Sequence, residues 1–519
     1  MSNLLEKASI LLTPTAYDDG KILSVKPEDG TGDFTFTRNS SATRVTSQGL
    51  IEDMQILSGD LVTNGDFSNG ANNWSLGAGW SIGVGKVIGS SASGTLSQAG
   101  IASAGKQYKV TFSVTDYSSG TLFVDIGGSS AQTTTSNGLK TFYFTSTSTG
   151  SLRFYGGSFT GSIDNVSVIE ITDDTDLPRI DYSPYSGAGS CGHWLFEPQS
   201  TNLIITSDSG VYGNNPASEI LTTAPDGTNT AVRPVPDSNS DRYTGQISGG
   251  TYATNTKITY SWYRKRISTP VIDIYVGDLQ PNVLVNVTQV GSTIQVESDI
   301  NGFDRFSATF NITDGSLASN IRLYFGAIIG TGNSSVAYWG HQLEVGSFAT
   351  SLIPTNGSTV TRLKDAAFGA GNSSLINSTE GVLYAEVAAL AEQTLTRYIT
   401  LSDGTSSNRI IIYITDVGVI KFFVGVGGVT QAAKTVTGQT TTNFNKLAVS
   451  YKENDMKFYL NGVKVHTDTS ASTYPTDTLS VINFAASNGT SSPFFGKANC
   501  LAVFEEALTD AELTCLTTI

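Results

Sequence analysis

The sequence predicts an all-β protein made of tandem β-sandwich domains, and three observations support that prediction. Apolar and polar residues alternate along short segments such as 109–114 and 257–262, which is the pattern of half-buried strands. Asn-Gly pairs, a strong hairpin signal, separate several such segments. Gly reaches 54 of 519 residues while charged residues make up 14%, a balance that suits strands and tight turns rather than surface helices.

An internal repeat divides the middle of the chain. The length of 519 residues exceeds what one hydrophobic core supports, so about three to four domains are expected. Segment 109–113 resembles 257–261 at an offset of 257 − 109 = 148, and later segments repeat in the same order. Two related sandwiches are therefore expected near 61–172 and 204–350. Chance similarity between β-rich segments is the alternative.

The net charge of the chain and its N-terminal residues limit the binding partners and the cellular location that can be expected. The net charge of −15 disfavours nucleic acid as a partner, because an acidic chain repels phosphate backbones. No apolar run approaches the roughly 18 residues that span a bilayer, so no membrane insertion is expected. The first residues lack the basic region of a signal peptide. We expect a protein made in a host cytoplasm and released by lysis, or else a secreted protein whose signal lies outside this sequence.

Four ordered segments resemble one family. Residues 36–45, Phe-Thr-Arg-Asn-Ser-Ser-Ala-Thr-Arg-Val, resemble a segment of bacteriophage tail and appendage proteins. Family members continue with a Pro-Arg-x-Asp-Tyr element and a Leu-x-Glu-Pro-x-x-Thr-Asn-Leu element, which match 178–182 and 195–203 here. Residues 339–346 with 350–355 fit the same family. The resemblance implies a protein of the virion surface whose partners are other virion structural proteins. Such appendages also imply a homo-oligomer, and we expect a homotrimer.

The first sandwich resembles another family. Residues 61–67 and 163–168 are similar to the opening and closing strands of jelly-roll carbohydrate-binding modules. In that family these strands often hold a structural Ca²⁺, which prefers carboxylate and carbonyl oxygens. The resemblance carries this role over to Asp66 and Asp164 alone. The alternative is that both are turn residues that bond to the local backbone.

Two tryptophans are the candidate carbohydrate-binding residues. Trp74 and Trp80 lie in a segment rich in Gly and Asn, and an exposed aromatic ring stacks well on the apolar face of a sugar. Packing in the core or in a loop is the alternative for both.

The last third of the chain resembles laminin-G and concanavalin A-like sandwiches. Residues 445–451 and 456–462 look like the central hairpin of that fold, and the resemblance extends over about 365–519. Near its end, Thr509 and Glu512 form a capping-box pattern, which predicts a short closing helix.

These features predict four regions and a function without chemistry. The regions are a virion-attachment module at 1–60 continued by 174–203, a jelly-roll carbohydrate-binding-like domain at 61–172, a second jelly-roll-like domain at 204–364, and the concanavalin A-like domain at 365–519. The predicted function is a non-enzymatic tail or head fibre subunit that helps to attach the particle to a host-surface glycan. The alternatives are a bacterial secreted or cell-surface glycan-binding protein and a glycan depolymerase.

Catalysis is disfavoured by what the sequence lacks. Concanavalin-type glucanases place their carboxylates in a Glu-x-Asp-x-x-Glu strand, and no such string occurs here. Cys191 and His193 would share one face of a strand. A catalytic thiolate–imidazole pair, however, normally comes from separate chain segments.

Overall fold

The molecule is nearly all β, as predicted, and divides into two compact units. The main unit comprises Met1–Met54, Thr175–Ile220 and Val232–Ile519, and the inserted unit comprises Gln55–Asp174 and Leu221–Ala231. The computed structural model describes residues 2–184, 191–208, 218–235, 243–246, 253–266, 275–280, 283–285, 287–289, 295–300, 302–312, 322–325, 336–391, 396–415 and 417–518.

The first segment of the main unit contributes short elements. Each strand has two to four residues, and its apolar side chains are largely buried. The elements are α1 (Ser2–Leu5), β1 (Ile10–Leu12), β2 (Tyr17–Asp18), β3 (Lys21–Ile22), β4 (Phe34–Thr37), β5 (Thr43–Val45) and β6 (Ile51–Asp53).

The inserted unit is a sandwich with its own apolar core. Its strands are β7 (Ile56–Asp60), β8 (Ser75–Leu76), β9 (Trp80–Ile82), β10 (Val87–Ala92), β11 (Thr95–Ala102), β12 (Gln107–Ile126), β13 (Gln132–Thr134), β14 (Gly138–Thr145) and β15 (Gly150–Asp173). The long strands β12 and β15 pair antiparallel, and the register sets Val124 opposite Phe154. Phe112 is not the register partner of Phe154, but the two rings pack with their centroids 5.1 Å apart. This contact therefore crosses the sandwich and closes the core.

The next segment includes 204–364, the residues for which a second sandwich is expected, together with the strands that precede them. Its strands are β16 (Ile180–Asp181), β17 (His193–Phe196), β18 (Ser200–Asn202), β19 (Ser218–Thr222), β20 (Ala231–Val235), β21 (Tyr243–Gln246), β22 (Lys257–Arg266), β23 (Tyr275–Gln280), β24 (Val283–Val285), β25 (Val287–Gln289), β26 (Gln295–Ile300), β27 (Phe303–Ile312), β28 (Arg322–Phe325), β29 (Val336–Val345) and β30 (Val360–Arg362). Strand β22 lies between β27 and β29, just as β12 lies between β14 and β15. The repeated segments 109–113 and 257–261 thus hold the same central position.

The C-terminal sandwich has two facing sheets. Its elements are β31 (Ala366–Phe368), β32 (Glu380–Ala389), β33 (Arg397–Ser402), β34 (Arg409–Ile414), β35 (Ile420–Val426), β36 (Val429–Val436), β37 (Asn445–Lys452), β38 (Met456–Leu460), β39 (Val463–Asp468), β40 (Val481–Asn483), β41 (Gly496–Phe504) and α2 (Asp510–Thr517). One sheet has the order β16-β17-β41-β32-β37-β38-β39, and the other β36-β35-β34-β33-β40. Phe422 of β35 stacks on Phe458 of β38 at 5.3 Å, so the apolar core lies between the two sheets.

Two strands from 1–60 and 174–203, the residues expected to form an attachment module, pair with a strand of the C-terminal sandwich. Strand β1 pairs with β41, with Ile10 opposite Val503, and β17 pairs with the other half of β41, with Trp194 opposite Ala498. Ile10 and Trp194 are buried in the core of the C-terminal sandwich. Because their apolar side chains are buried in that core, these strands belong to the C-terminal sandwich.

The closing helix has the predicted capping box. The Thr509 hydroxyl accepts a hydrogen bond from the Glu512 backbone N–H, and the Glu512 carboxylate accepts one from the Thr509 N–H at 3.0 Å. Leu508 and Leu513 on either side are buried. In the described part of the chain, no helix has the length and apolar character to cross a membrane.

Candidate carbohydrate-binding site

The two predicted tryptophans are core residues, which corrects the sugar-stacking assignment. Trp74 is 6% exposed and Trp80 7% exposed, so neither ring offers a face to solvent. The indole N–H of Trp74 donates to the Asn64 carbonyl at 3.0 Å, and that of Trp80 donates to the Gly94 carbonyl at 2.9 Å. Burial with a satisfied N–H is the usual arrangement of a structural tryptophan, so the packing alternative describes both residues.

The two predicted calcium ligands lie on adjacent segments, with Asp66 in a turn and Asp164 on β15. The Val166 N–H donates to the Gly65 carbonyl at 2.9 Å, which sets the opening strand beside the closing one. Asp66 accepts hydrogen bonds from the Ser68 backbone and hydroxyl, and these bonds lower the pKa of Asp66. The Asp164 carboxylate accepts from the Asn165 N–H at 2.6 Å. Both carboxylates thus make the local turn bonds of the alternative assignment, and the described residues contain no cluster of three acidic, His or Cys side chains.

A pair of stacked aromatic rings lies on the outward face of the inserted unit. Phe123 on β12 is directly opposite Tyr155 on β15, and their rings are 5.1 Å apart and 4° from parallel. Both rings are half-buried, whereas their neighbours Leu122 and Phe154 point into the core. A Cβ at position 157 would come within 3.1 Å of the Phe123 ring, so Gly157 leaves room for it. We call the surface around Phe123 and Tyr155 the stacked platform.

An ion pair with two hydrogen bonds borders the stacked platform. Arg153 donates through Nε to one Asp125 oxygen at 2.7 Å and through Nη2 to the other at 2.9 Å. Asp125 is 2% exposed, while the Arg153 side chain is about half exposed, at 49%. Hydrogen bonding to Asp125 raises the pKa of Arg153. The pair therefore presents fixed N–H groups beside the rings with its charge compensated.

Hydroxyl groups extend the same surface. Thr133 on β13 is opposite Phe123, and Thr95 on β11 is opposite Tyr155, so one row crosses four strands. Both threonines are exposed. Flat rings with adjacent N–H and O–H groups are what a sugar ring needs, since its faces are apolar and its rim carries hydroxyls.

The segments that resemble phage proteins meet in a buried charge network. Arg179 donates to Glu197 at 2.7 Å and to Asp365, and Arg362 donates to the same Glu197 oxygen at 2.7 Å. Arg38 pairs with Asp365 at 3.3 Å. Each of the five residues is at most 3% exposed. The charge network thus joins residues far apart in the main-unit sequence.

The electrostatics of the charge network are those of a structural element. Burial alone would raise the pKa of Glu197, but the guanidinium groups of Arg362 and Arg179 lower it well below its usual range. Ser351, from the fourth phage-type segment, donates both its N–H and its hydroxyl to Glu197 at 2.7 Å. Because these groups are shielded from solvent and bonded to one another, they hold strands together.

The residues considered for catalysis do not form a reactive group. His193 is buried on β17, and burial lowers its pKa well below the usual value, which keeps the ring neutral. Its Nε2 lies 3.6 Å from Asp181, whose carboxylate accepts from the Val45 and Ser183 N–H groups. Cys191 is exposed and free. The exposed thiol and the buried imidazole are thus in different environments.

Comparison with known proteins gives one family match and several remote structural neighbours. A model described as the concanavalin A-like lectin/glucanases superfamily matches residues 385–514, within the C-terminal sandwich. A search of curated proteins gave no match. At a TM-score of 0.25 and 17% identity, 29% of the chain aligns with 93% of a Ruminococcus gnavus sialidase CBM40 bound to α2,3-sialyllactose.

Two further solved structures have similar scores. A leech intramolecular trans-sialidase aligns at 18% identity and a TM-score of 0.24, over 29% of this chain and 26% of the enzyme. Domain 4 of a Geobacillus stearothermophilus arabinanase, in complex with arabinotriose, aligns at 17% identity and 0.24, over 34% of this chain and 84% of that domain. At such scores the similarities do not identify a ligand for this chain.

Proposed function

We propose that the protein is a non-enzymatic glycan-binding subunit of a phage appendage, and that the stacked platform of the inserted unit contacts the glycan. The observation that supports the binding role most directly is the parallel Phe123–Tyr155 pair beside the Arg153–Asp125 ion pair. The ligand expected there is a neutral oligosaccharide of a host cell surface, because the charge of Arg153 is already balanced.

Weak single-site binding fits this surface. Each stacked ring contributes on the order of 1 kcal/mol, so one copy binds its glycan poorly. Several copies on one particle raise avidity by roughly 10²–10⁴ without new contacts, provided that they engage together. A homotrimer that docks on other virion proteins supplies that multivalency. The virion role rests on the four phage-type segments of the sequence.

Two rival functions make different predictions. A bacterial secreted or cell-surface glycan-binding protein would use the same platform, but its gene would lie outside a cluster of capsid and tail genes. A glycan depolymerase would release new reducing ends. We expect no such release, since the platform presents aromatic, guanidinium and hydroxyl groups, with its Asp125 carboxylate buried in an ion pair.

Calcium support of the inserted unit is also part of the proposal. Asp66 and Asp164 each keep a second carboxylate oxygen beyond the turn bonds described above. Bound Ca²⁺ would join the opening strand to the closing one. Calcium should then raise the unfolding temperature of wild-type protein, and chelator should reverse the rise. An Asp66→Asn, Asp164→Asn variant that responds as the wild type does would exclude these ligands.

The binding test compares ring-removing variants on a glycan array and on host cells. Phe123→Leu and Tyr155→Leu should each weaken binding about fivefold, since each removes one stacked ring worth on the order of 1 kcal/mol. The matched control is Tyr143→Leu, an aromatic residue that is 44% exposed on β14 of the same unit. The control should bind as the wild type does.

Three outcomes decide the proposal. If the wild-type oligomer binds no glycan and no host cell while the particle adsorbs normally, the adhesive role is wrong. If the control loses as much affinity as the platform variants, the platform is not the site. Mass photometry that shows only monomer at micromolar concentration, together with no oligomer in the particle, would exclude the homotrimer.

A further inference from the structure

The C-terminal sandwich carries a second aromatic surface, on the side of β33, β34 and β35 that faces away from the core. Residues along these strands alternate between the core and the opposite side of the sheet, and the positions on that opposite side align in register across the three strands. Thr400, Ser402 and Ile411 on this side are buried, and the other positions of β33 and β34 there are partly exposed. We call this surface the outer face. It comprises Tyr398, Arg409, Tyr413, Lys421 and Phe423, all of them partly exposed.

The rings of the outer face are held in fixed positions. Tyr398 and Tyr413 are cross-strand partners whose rings meet edge to face at 5.1 Å and 78°. A Cβ at position 425 would come within 2.9 Å of Phe423 Cε1, so the Phe423 ring lies across Gly425. The Arg409 guanidinium lies 5.3 Å from the centre of that ring. Glycine at 425 therefore allows a flat aromatic surface beside a cation.

The charge of the outer face is not compensated by a carboxylate of any residue that the structure describes. Arg409 and Lys421 form no ion pair with any described residue, and Lys421 contributes only a contact of its ammonium with the Tyr413 ring at 5.9 Å. The positions that share this side of β33, β34 and β35 include no Asp or Glu. In a chain with a net charge of −15, two free cations among aromatic rings form a local positive surface.

The spacing of the two cations indicates the size of the ligand. Lys421 is opposite Tyr413, and Arg409 precedes Tyr413 by four residues on β34. Four residues of a strand span about 13 Å, which is longer than one sugar ring. Phe423 and its cross-strand partner Ile411 lie between the cations, and Tyr413 lies beside Lys421. A chain of sugars with a carboxylate on more than one ring therefore matches both the charges and the rings.

We propose that the outer face binds an acidic polysaccharide, whose carboxylates pair with Arg409 and Lys421 while its rings pack on Phe423 and Tyr413. This site shares with the proposed function only the assumption that the ligand is a carbohydrate. It lies in the other unit and takes a charged ligand, so its test is independent of the stacked platform.

The test uses the full chain with polygalacturonate and with its methyl ester, which keeps the rings and removes the charges. Wild-type protein should bind polygalacturonate and bind the ester roughly tenfold more weakly. The Arg409→Gln, Lys421→Gln variant should lose about the same factor for polygalacturonate. Both cations are partly exposed and lack ion-pair partners among the described residues, so this variant should fold. Its thermal unfolding checks that expectation.

Two further variants separate the site from non-specific attraction. Lys434→Gln removes an exposed lysine on β36 of the same sheet, away from the outer face, and should bind as the wild type does. Phe423→Leu keeps both charges and should still weaken polygalacturonate binding severalfold. Equal binding of the acid and its ester would overturn the proposal. So would an unchanged Phe423→Leu variant, or duplex DNA that binds as tightly as polygalacturonate.

Discussion

The two aromatic surfaces differ in their charges more than in their rings. On the stacked platform, Arg153 is held by both oxygens of a buried Asp125, so the surface is neutral. On the outer face, Arg409 and Lys421 have no carboxylate partner among the described residues. One chain can thus present similar aromatic surfaces to different ligands, because a single buried carboxylate decides whether the adjacent cation is available.

The largest expected effect comes from a substitution in the charge network. It should lower the stability of the main unit and leave that of the inserted unit unchanged. Arg179→Met leaves Glu197 and Asp365 without their shared buried partner, and breaking such a pair costs about 3–5 kcal/mol of unfolding free energy. Only the main unit should be destabilised, so polygalacturonate binding should fail while neutral glycans still bind. Calorimetry should show one shifted transition, and an equal shift of both units would contradict this.

Raising the ionic strength should change the ratio of the affinities of the two surfaces for their ligands by about tenfold. Raising salt from about 0.01 M to about 1 M shortens the Debye length from roughly 30 Å to roughly 3 Å, which screens exposed charges. Polygalacturonate binding should fall, whereas neutral-glycan binding should stay constant because Arg153 acts there only through hydrogen bonds. Titrations of both ligands across this range provide the measurement. Parallel losses would show that charge drives binding at both surfaces.

A single substitution should make the stacked platform resemble the outer face. Asp125→Asn removes the charge that balances Arg153, and one new exposed ion pair is worth about 0.2–1 kcal/mol. Affinity for polygalacturonate should therefore rise by up to about fivefold. Asp116→Asn is the control, since Asp116 pairs with Lys86 on an exposed part of the same unit. No gain in the Asp125 variant would mean that charge balance does not determine the ligand.

The smallest effect is expected from adding a methyl group beneath the Phe423 ring. Gly425→Ala should tilt Phe423 away from the sheet and weaken polygalacturonate binding about twofold, through partial loss of one stacking contact. Gly59→Ala is the control, because an added Cβ there meets nothing within 4 Å. Isothermal titration of both variants measures the difference. A Gly425 variant with wild-type affinity would show that the Phe423 ring need not lie flat.

Strand alternation predicted the all-β fold and the capping box predicted the last helix, because both signals are local. The strand with which β1 pairs was not predictable from local signals, since Ile10 and Val503 are separated by 503 − 10 = 493 positions. Nothing in a three-residue apolar strand specifies its partner. The segments that resemble phage proteins are visible in the sequence as motifs, but their burial in the charge network depends on the fold as a whole.

The residues of the stacked platform were not predicted from the sequence, for a physical reason. The glycine and asparagine residues around Trp74 and Trp80 indicate loops, yet such loops also fold over a core and bury large rings. The sequence signal for the stacked platform was a break in the alternation of apolar and polar residues. Phe123, itself apolar, lies between the core residues Leu122 and Val124. An aromatic residue out of phase with the core residues beside it points outward, and Tyr155 follows the same rule beside Phe154.

The pairing of β1 with β41 also orders events during synthesis. At about 5–20 residues per second, the ribosome needs roughly 25–100 s to travel from β1 to its partner. Throughout that interval β1 lacks its partner β41, whereas the inserted unit has every residue of its core once residue 168 has been made. Translation speed therefore controls how long an unpaired apolar strand is exposed, and a chaperone that binds residues 10–12 would act in this window.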